Sequence, residues 1–154
     1  MSLNPARPRW PLITLRVTAG LTALLALIQP ILAGGFLQGY YPLLDAHMMA
    51  AMILATAVLL SVIAAVLAWR LSGLPNRTAV QYGILLLCCV AQISLGFSRV
   101  LLIHIPLGVG IFVMAEKFAV EVFQFKPAAG SAPAAAPTMA DLTAVAAAGP
   151  EVAE

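Results

Sequence analysis

Apolar residues run almost without interruption through four stretches of the chain, and charged residues fall only near their edges. The first stretch extends from about Leu12 to Gly35, with no charge after Arg16. The second lies between Asp45 and Arg70, and His47 is its only ionisable side chain. The third lies between Arg77 and Arg99, and the fourth starts near Arg99 and reaches Glu116 and Lys117. A helix that spans a bilayer needs about 20 predominantly apolar residues, so each stretch predicts one spanning helix. The apolar part of the fourth, Val100 to Ala115, reaches only about 24 Å at the helical rise per residue. That helix is therefore expected to continue to about Phe123, with Lys117 snorkelling toward the headgroups.

Turn chemistry marks the ends. Gly73 and Pro75 stop the second helix and turn the chain. Thr78-Ala79-Val80-Gln81 has the spacing of a capping box and is expected to open the third helix. Ser98 is the candidate N-cap of the fourth. Pro42 suits the first turn of the second helix, where its missing N–H leaves nothing unpaired, although Asp45 is an alternative cap. Pro30 falls inside the first helix and is expected to kink it.

Composition supports the pattern. Of 154 residues, 62% are hydrophobic and only 9% charged, and mean hydropathy is +1.01. Soluble domains carry about 25% charged residues. The balance excludes a soluble enzyme, a nucleic-acid binder and a disordered protein, and predicts an all-α membrane protein, a four-transmembrane-helix bundle. Cys88 and Cys89 are adjacent in an apolar run, which suits neither a disulfide framework nor a zinc site. They read as inert core residues. The basic residues set orientation. Arg7, Arg9, Arg16, Arg70, Arg77, Lys117 and Lys126 fall on one side, and Arg99 alone on the other. Both termini are therefore expected in the cytoplasm, with Trp10, Trp69, Tyr82 and Phe123 at the inner interface and Tyr40 and Tyr41 at the outer. The basic start of the first helix resembles a signal peptide, but its apolar run is long and lacks a clean cleavage site. The division expected is an N-terminal cytoplasmic segment over 1–11, the membrane domain over 12–126, and an alanine- and proline-rich, disordered C-terminal tail over 127–154.

The chain also reads as two repeated helix pairs. Gln29-Pro30-Ile31-Leu32-Ala33-Gly34-Gly35-Phe36 closes the first helix, and Gln92-Ile93-Ser94-Leu95-Gly96-Phe97 closes the third. After each come a short loop and a histidine, His47 and His104, with a small residue four positions on, Ala51 and Gly108. Parallel repeats of this kind imply a pseudo-two-fold axis along the membrane normal.

The histidines carry the candidate chemistry. They are the only two in the chain. Each stands about five residues into its helix, roughly 7.5 Å deep, so the two are expected to face each other across the bundle. Structural zinc takes about four protein ligands, and no cysteine or acid stands ready to complete such a set. Haem supplies its own equatorial nitrogens and needs only two axial ligands, which a bundle can provide from opposed helices. His47 and His104 are thus the candidate metal ligands, with haem b the candidate cofactor. Ala50, Ala51, Ala55 and Gly108 give flat room beside the helix backbones, and Arg99 is placed to pair with propionates. The competing readings are a histidine reaching interfacial water, small residues that only pack helices together, Arg99 as an ordinary anchor, and Met48, Met49 and Met52 as packing. Gln29 and Gln92 read as interhelical hydrogen-bond glue.

Four helices, histidines opening the second and fourth, and Gln92-Ile93-Ser94-Leu95-Gly96 before the second histidine together resemble one half of haem A synthase, over about Leu12 to Phe125. That family is a duplicated eight-helix membrane protein whose halves are four-helix bundles with a histidine pair able to hold haem. The resemblance implies that His47 and His104 are the ligand pair of one half. Leu44 stands where the family has a glutamate, with Asp45 next to it, and the outer-loop cysteine pair of many members is missing. The implied protein is a small haem-b membrane protein rather than a self-contained enzyme. Its expected place is the bacterial inner membrane, exchanging electrons with a respiratory or redox membrane complex or a quinone, with a homodimer as one arrangement. No nucleic-acid partner is expected. The alternative is a cofactor-free accessory or anchoring subunit of a larger membrane complex.

Overall fold

The computed structural model describes residues 8–127, so the expected tail lies outside the described residues except for Pro127. Four helices follow one another: α1 (Trp10–Leu37), α2 (Pro42–Ser72), α3 (Asn76–Phe97) and α4 (Leu101–Gln124). All four are long and apolar enough to cross a membrane, and the chain is an all-α membrane protein. The helices alternate in direction, so the starts of α1 and α3 and the ends of α2 and α4 share one end of the bundle, here the termini end. The α1–α2 and α3–α4 turns share the other. Each helix packs on two neighbours, in the cyclic order α1, α2, α3, α4. That leaves α2 and α4 on one diagonal and α1 and α3 on the other.

Small side chains set the close packing. Ala19, Ala23 and Ala26 of α1 and Ala57, Ala64, Ala65 and Ala68 of α2 are all buried. In a bilayer apolar burial alone does not hold helices together, and small residues let the backbones approach. Between these helices the Ser61 hydroxyl donates to the Ala57 carbonyl at 2.9 Å. It therefore accepts from Thr22, 3.4 Å away. The termini end is larger and more polar. Tyr82 packs edge-on against Phe118, with ring centres 5.8 Å apart. Tyr82 is wholly buried, so it is a core residue and not the interfacial marker the sequence suggested. The Gln81 amide donates to Glu121 at 3.1 Å. Arg16 of α1 donates to the last carbonyls of α4, reaching Phe125 at 2.8 Å and Val122 at 3.4 Å, where the negative helix end favours a cation.

Several helix ends differ from expectation. Gly73 does close α2, in the left-handed region with φ +76°, and the Leu74 N–H reaches back to the Ala68 carbonyl at 3.2 Å, which satisfies an orphan carbonyl at the helix end. Pro42 does open α2, and Asp45 lies in its first turn without capping it. The capping box does not form: α3 starts at Asn76 after Pro75, so Thr78 lies inside the first turn rather than at the N-cap, and Gln81 donates to Glu121. Ser98 ends α3 instead of opening α4, which starts at Leu101 after Val100. Both α1 and α4 run on through a proline, Pro30 and Pro106.

Candidate functional site

The two hairpin turns are built alike. In the first, Gln38, Gly39 and Tyr40 N–H groups reach the carbonyls of Gly34, Phe36 and Gly35. In the second, Ser98, Arg99 and Val100 reach Ser94, Gly96 and Leu95. The spacings match donor for donor. The pivotal residue has positive φ in both, +96° at Gly39 and +57° at Arg99. Against these pivots the first hairpin is longer by three residues on each arm, since its glutamine and histidine stand 18 apart and those of the second 12. The extra residues extend the first hairpin by nearly one turn without changing what lies beneath it.

What lies beneath is a matched pair of histidines. The His47 Nδ1–H donates to the Gln29 carbonyl at 3.3 Å, and the His104 Nδ1–H donates to the Gln92 carbonyl at 3.0 Å. Each ring thus lies across the helix of its own hairpin partner. A neutral imidazole whose Nδ1 carries the proton has its lone pair at Nε2. Fixing one ring nitrogen on a backbone carbonyl in this way is how proteins set the tautomer and orientation of metal-binding histidines. The rings come from the diagonal helices α2 and α4, and their centres are 6.3 Å apart at an interplanar angle of 65°. The expectation of two facing imidazoles therefore holds in the geometry, although His104 stands only three residues into α4 and His47 five into α2. Among the described residues no third His, Cys, Asp or Glu joins them as a metal-binding group.

Two cavities adjoin the pair. The larger, about 510 Å³, borders Gln29, Gln92, both histidines, Ala51 and Gly108. The smaller, about 210 Å³, shares the histidines and Ala51 and is bounded by Met48, Met52, Gly96 and Phe97. Pockets for cofactors commonly measure about 300–1,000 Å³ and are mostly apolar with a few placed polar groups, which describes the larger one. Ala51 thus borders both spaces. Gly108 lines the larger, but its open side is taken partly by Gln92, whose Nε2 would lie 2.8 Å from a Cβ there. Gly96 is the closer approach to the chemistry, because a Cβ at that position would lie 3.0 Å from the His104 ring. Arg99 is exposed in the second turn and makes no ion pair among the described residues. The methionines divide, with Met48 and Met52 against the smaller cavity and Met49 two-thirds exposed.

The glutamines do something the sequence did not suggest. Their backbone carbonyls hold the histidines, while Nε2 of Gln29 and Oε1 of Gln92 are buried without a hydrogen-bond partner. Neither acts as interhelical glue. The repeated Gln-to-His pairing was the available signal, but side-chain identity cannot announce a backbone acceptor. Cys89 is buried and borders the larger cavity, and Cys88 is half-buried. No protein-family model, curated protein or solved structure matches this chain. The site is therefore read from its own geometry.

Proposed function

We propose that this chain is a haem-binding membrane protein, a b-type cytochrome-like electron-transfer component in which His47 and His104 would hold the iron. The observation that carries the reading is the imidazole pair from opposed helices, each ring fixed through Nδ1, with centres 6.3 Å apart. Two imidazoles at this separation could hold one metal between them, which is compatible with a bis-histidine donor set. The flanking space of about 510 Å³ and its unpartnered amides fit a large, mostly apolar ligand with a polar edge. Only two protein donors are present, which suits a macrocycle that brings its own equatorial nitrogens better than a structural zinc.

Haem held this way supplies an iron that cycles between two oxidation states. The chain's own residues hold the rings at the ligating tautomer and keep the ligand in an apolar surrounding, and Arg99, which borders neither cavity, is the cation at that end that would reach in to a propionate. A site near the hairpin end suits exchange with a quinone or a redox membrane complex at that face. A homodimer is compatible with this role. The charge distribution supports a bacterial inner-membrane location with both termini cytoplasmic.

The test is the optical spectrum of the detergent-purified protein, oxidised and reduced, beside His47→Ala and His104→Ala. Sharp low-spin bands in the parent, lost in both variants while helical content is kept, are expected. No haem absorbance, even with haem supplied during expression, would overturn the reading and leave a cofactor-free accessory or anchoring subunit.

A further inference from the structure

The seam between α1 and α4 is the one pair of neighbouring helices that no short loop joins. At the termini end it is latched. Arg16 reaches across to Phe125, Val122 and Phe123 carbonyls, and a Cβ on Gly20 would rest in ordinary contact with Phe123. At the histidine end, among the described residues, no hydrogen bond joins the two helices. There the larger cavity is bordered by Pro30 and Gly34 of α1 and by Ile105, Gly108 and Val109 of α4. Pro30, Ile105 and Val109 lie on the outer surface of the bundle, the face an apolar bundle turns to lipid. Beside Gly34 there is open space, with nothing within 4 Å of where a Cβ would stand. On another side the smaller cavity is bordered by Met48, Met52 and Phe97.

Gln29 and Gln92 border the larger cavity, and Nε2 of the one and Oε1 of the other are buried without a partner, two of four such atoms among the described residues. A buried polar atom without a partner is destabilising, and native proteins carry few of them. Both belong to the paired elements that hold the histidines, so they mark one site.

We propose that the cavity beside His47 and His104 is filled from the bilayer, through the α1–α4 seam at Gly34, by a flat, largely apolar ligand whose polar groups meet Gln29 and Gln92. The identity of that ligand as haem rests on the reading above, but the route does not. Latching at Arg16 keeps the helices together while the other end parts, so a lipid-dissolved molecule reaches the histidines without crossing the hairpin turns.

The native Cys89 borders this cavity and reports on access to it. The experiment uses the full chain carrying Cys88→Ala in lipid nanodiscs, and compares pyrene maleimide, which partitions into lipid, with a charged, water-soluble maleimide. The lipid-soluble reagent is expected to label Cys89, and the charged one at least tenfold more slowly. Gly34→Phe, which places a ring in open space, is expected to slow pyrene labelling at least tenfold. Met52→Phe, beside the smaller cavity, is expected to leave it within twofold. Equal labelling with and without Gly34→Phe, faster labelling by the charged reagent, or no labelling of the folded parent would each overturn the route. Haem added first is expected to protect Cys89. Absence of protection, with the Gly34→Phe effect intact, would count against haem and uphold the seam.

Discussion

Gly96 shows how closely a single residue is matched to the chemistry. It stands one turn beyond Gln92, and the His104 ring lies over it. An added Cβ would sit 3.0 Å from Cε1 and 3.4 Å from Nδ1 of that ring. The ring has little freedom to yield, because Nδ1 is tied to the Gln92 carbonyl. Gly96→Ala is expected to displace the imidazole by a few tenths of an ångström and weaken haem binding several-fold. Folding is expected to change little, since alanine in place of an interior helical glycine contributes about 0.5–1 kcal/mol, which offsets the crowding. A haem titration beside a thermal melt separates the two effects; a proportional loss in both would mean Gly96 is a packing residue only. Ala33, the counterpart beside His47 in the repeat, carries its methyl group already and borders the smaller cavity with Gly96.

At the scale of elements, the spans were legible and their ends only in part: Pro42 and Gly73 bound α2 as their chemistry implies, while the caps assigned to Thr78 and Ser98 did not form. Unbroken apolar runs bounded by charge located all four helices to within a few residues, because a bilayer forces each backbone to satisfy itself within one long helix. Caps are local: the third helix starts two residues before Thr78, after Pro75, and Ser98 closes α3 because Arg99 takes the left-handed position that Gly39 holds in the first hairpin. The histidine pairing was also legible from the repeat, although the depth count held for His47 and not for His104, since α4 starts two residues later than counted. The glutamine carbonyls that orient the rings were not, since every residue has one. The left-handed conformation costs a non-glycine residue roughly 1–2 kcal/mol, and its persistence points to use of the arginine side chain. Arg99→Gly is therefore expected to stabilise the hairpin by about 1 kcal/mol while weakening a haem with free propionates more than its dimethyl ester. Equal weakening of both would remove Arg99 from the site.

At the scale of the whole molecule, the two hairpins form one pseudo-symmetric unit with two unlike ends. The termini end carries Arg9, Arg16, Arg70, Arg77, Lys117 and Lys126, while Arg99 alone marks the hairpin end. Basic residues near span ends are retained on the cytoplasmic side, and the excess here is large enough that no single residue decides it. On that orientation the histidine pair would lie toward the far leaflet. Arg16 has a second task, being tied to the end of α4, so it is a poor site for testing orientation. Arg70 and Arg77 flank the α2–α3 loop and make no ion pair among the described residues. Reporters that work only in the cytoplasm are expected to be active when fused at the C-terminus or inserted at Gly73, and silent when inserted at Gly39. Replacing Arg70 and Arg77 by Ala and inserting three lysines beside Gly39 is expected to produce a mixed population. A reporter active at Gly39 in the parent would invert the arrangement and place the histidine pair on the cytoplasmic side, where its electron partners would have to be sought.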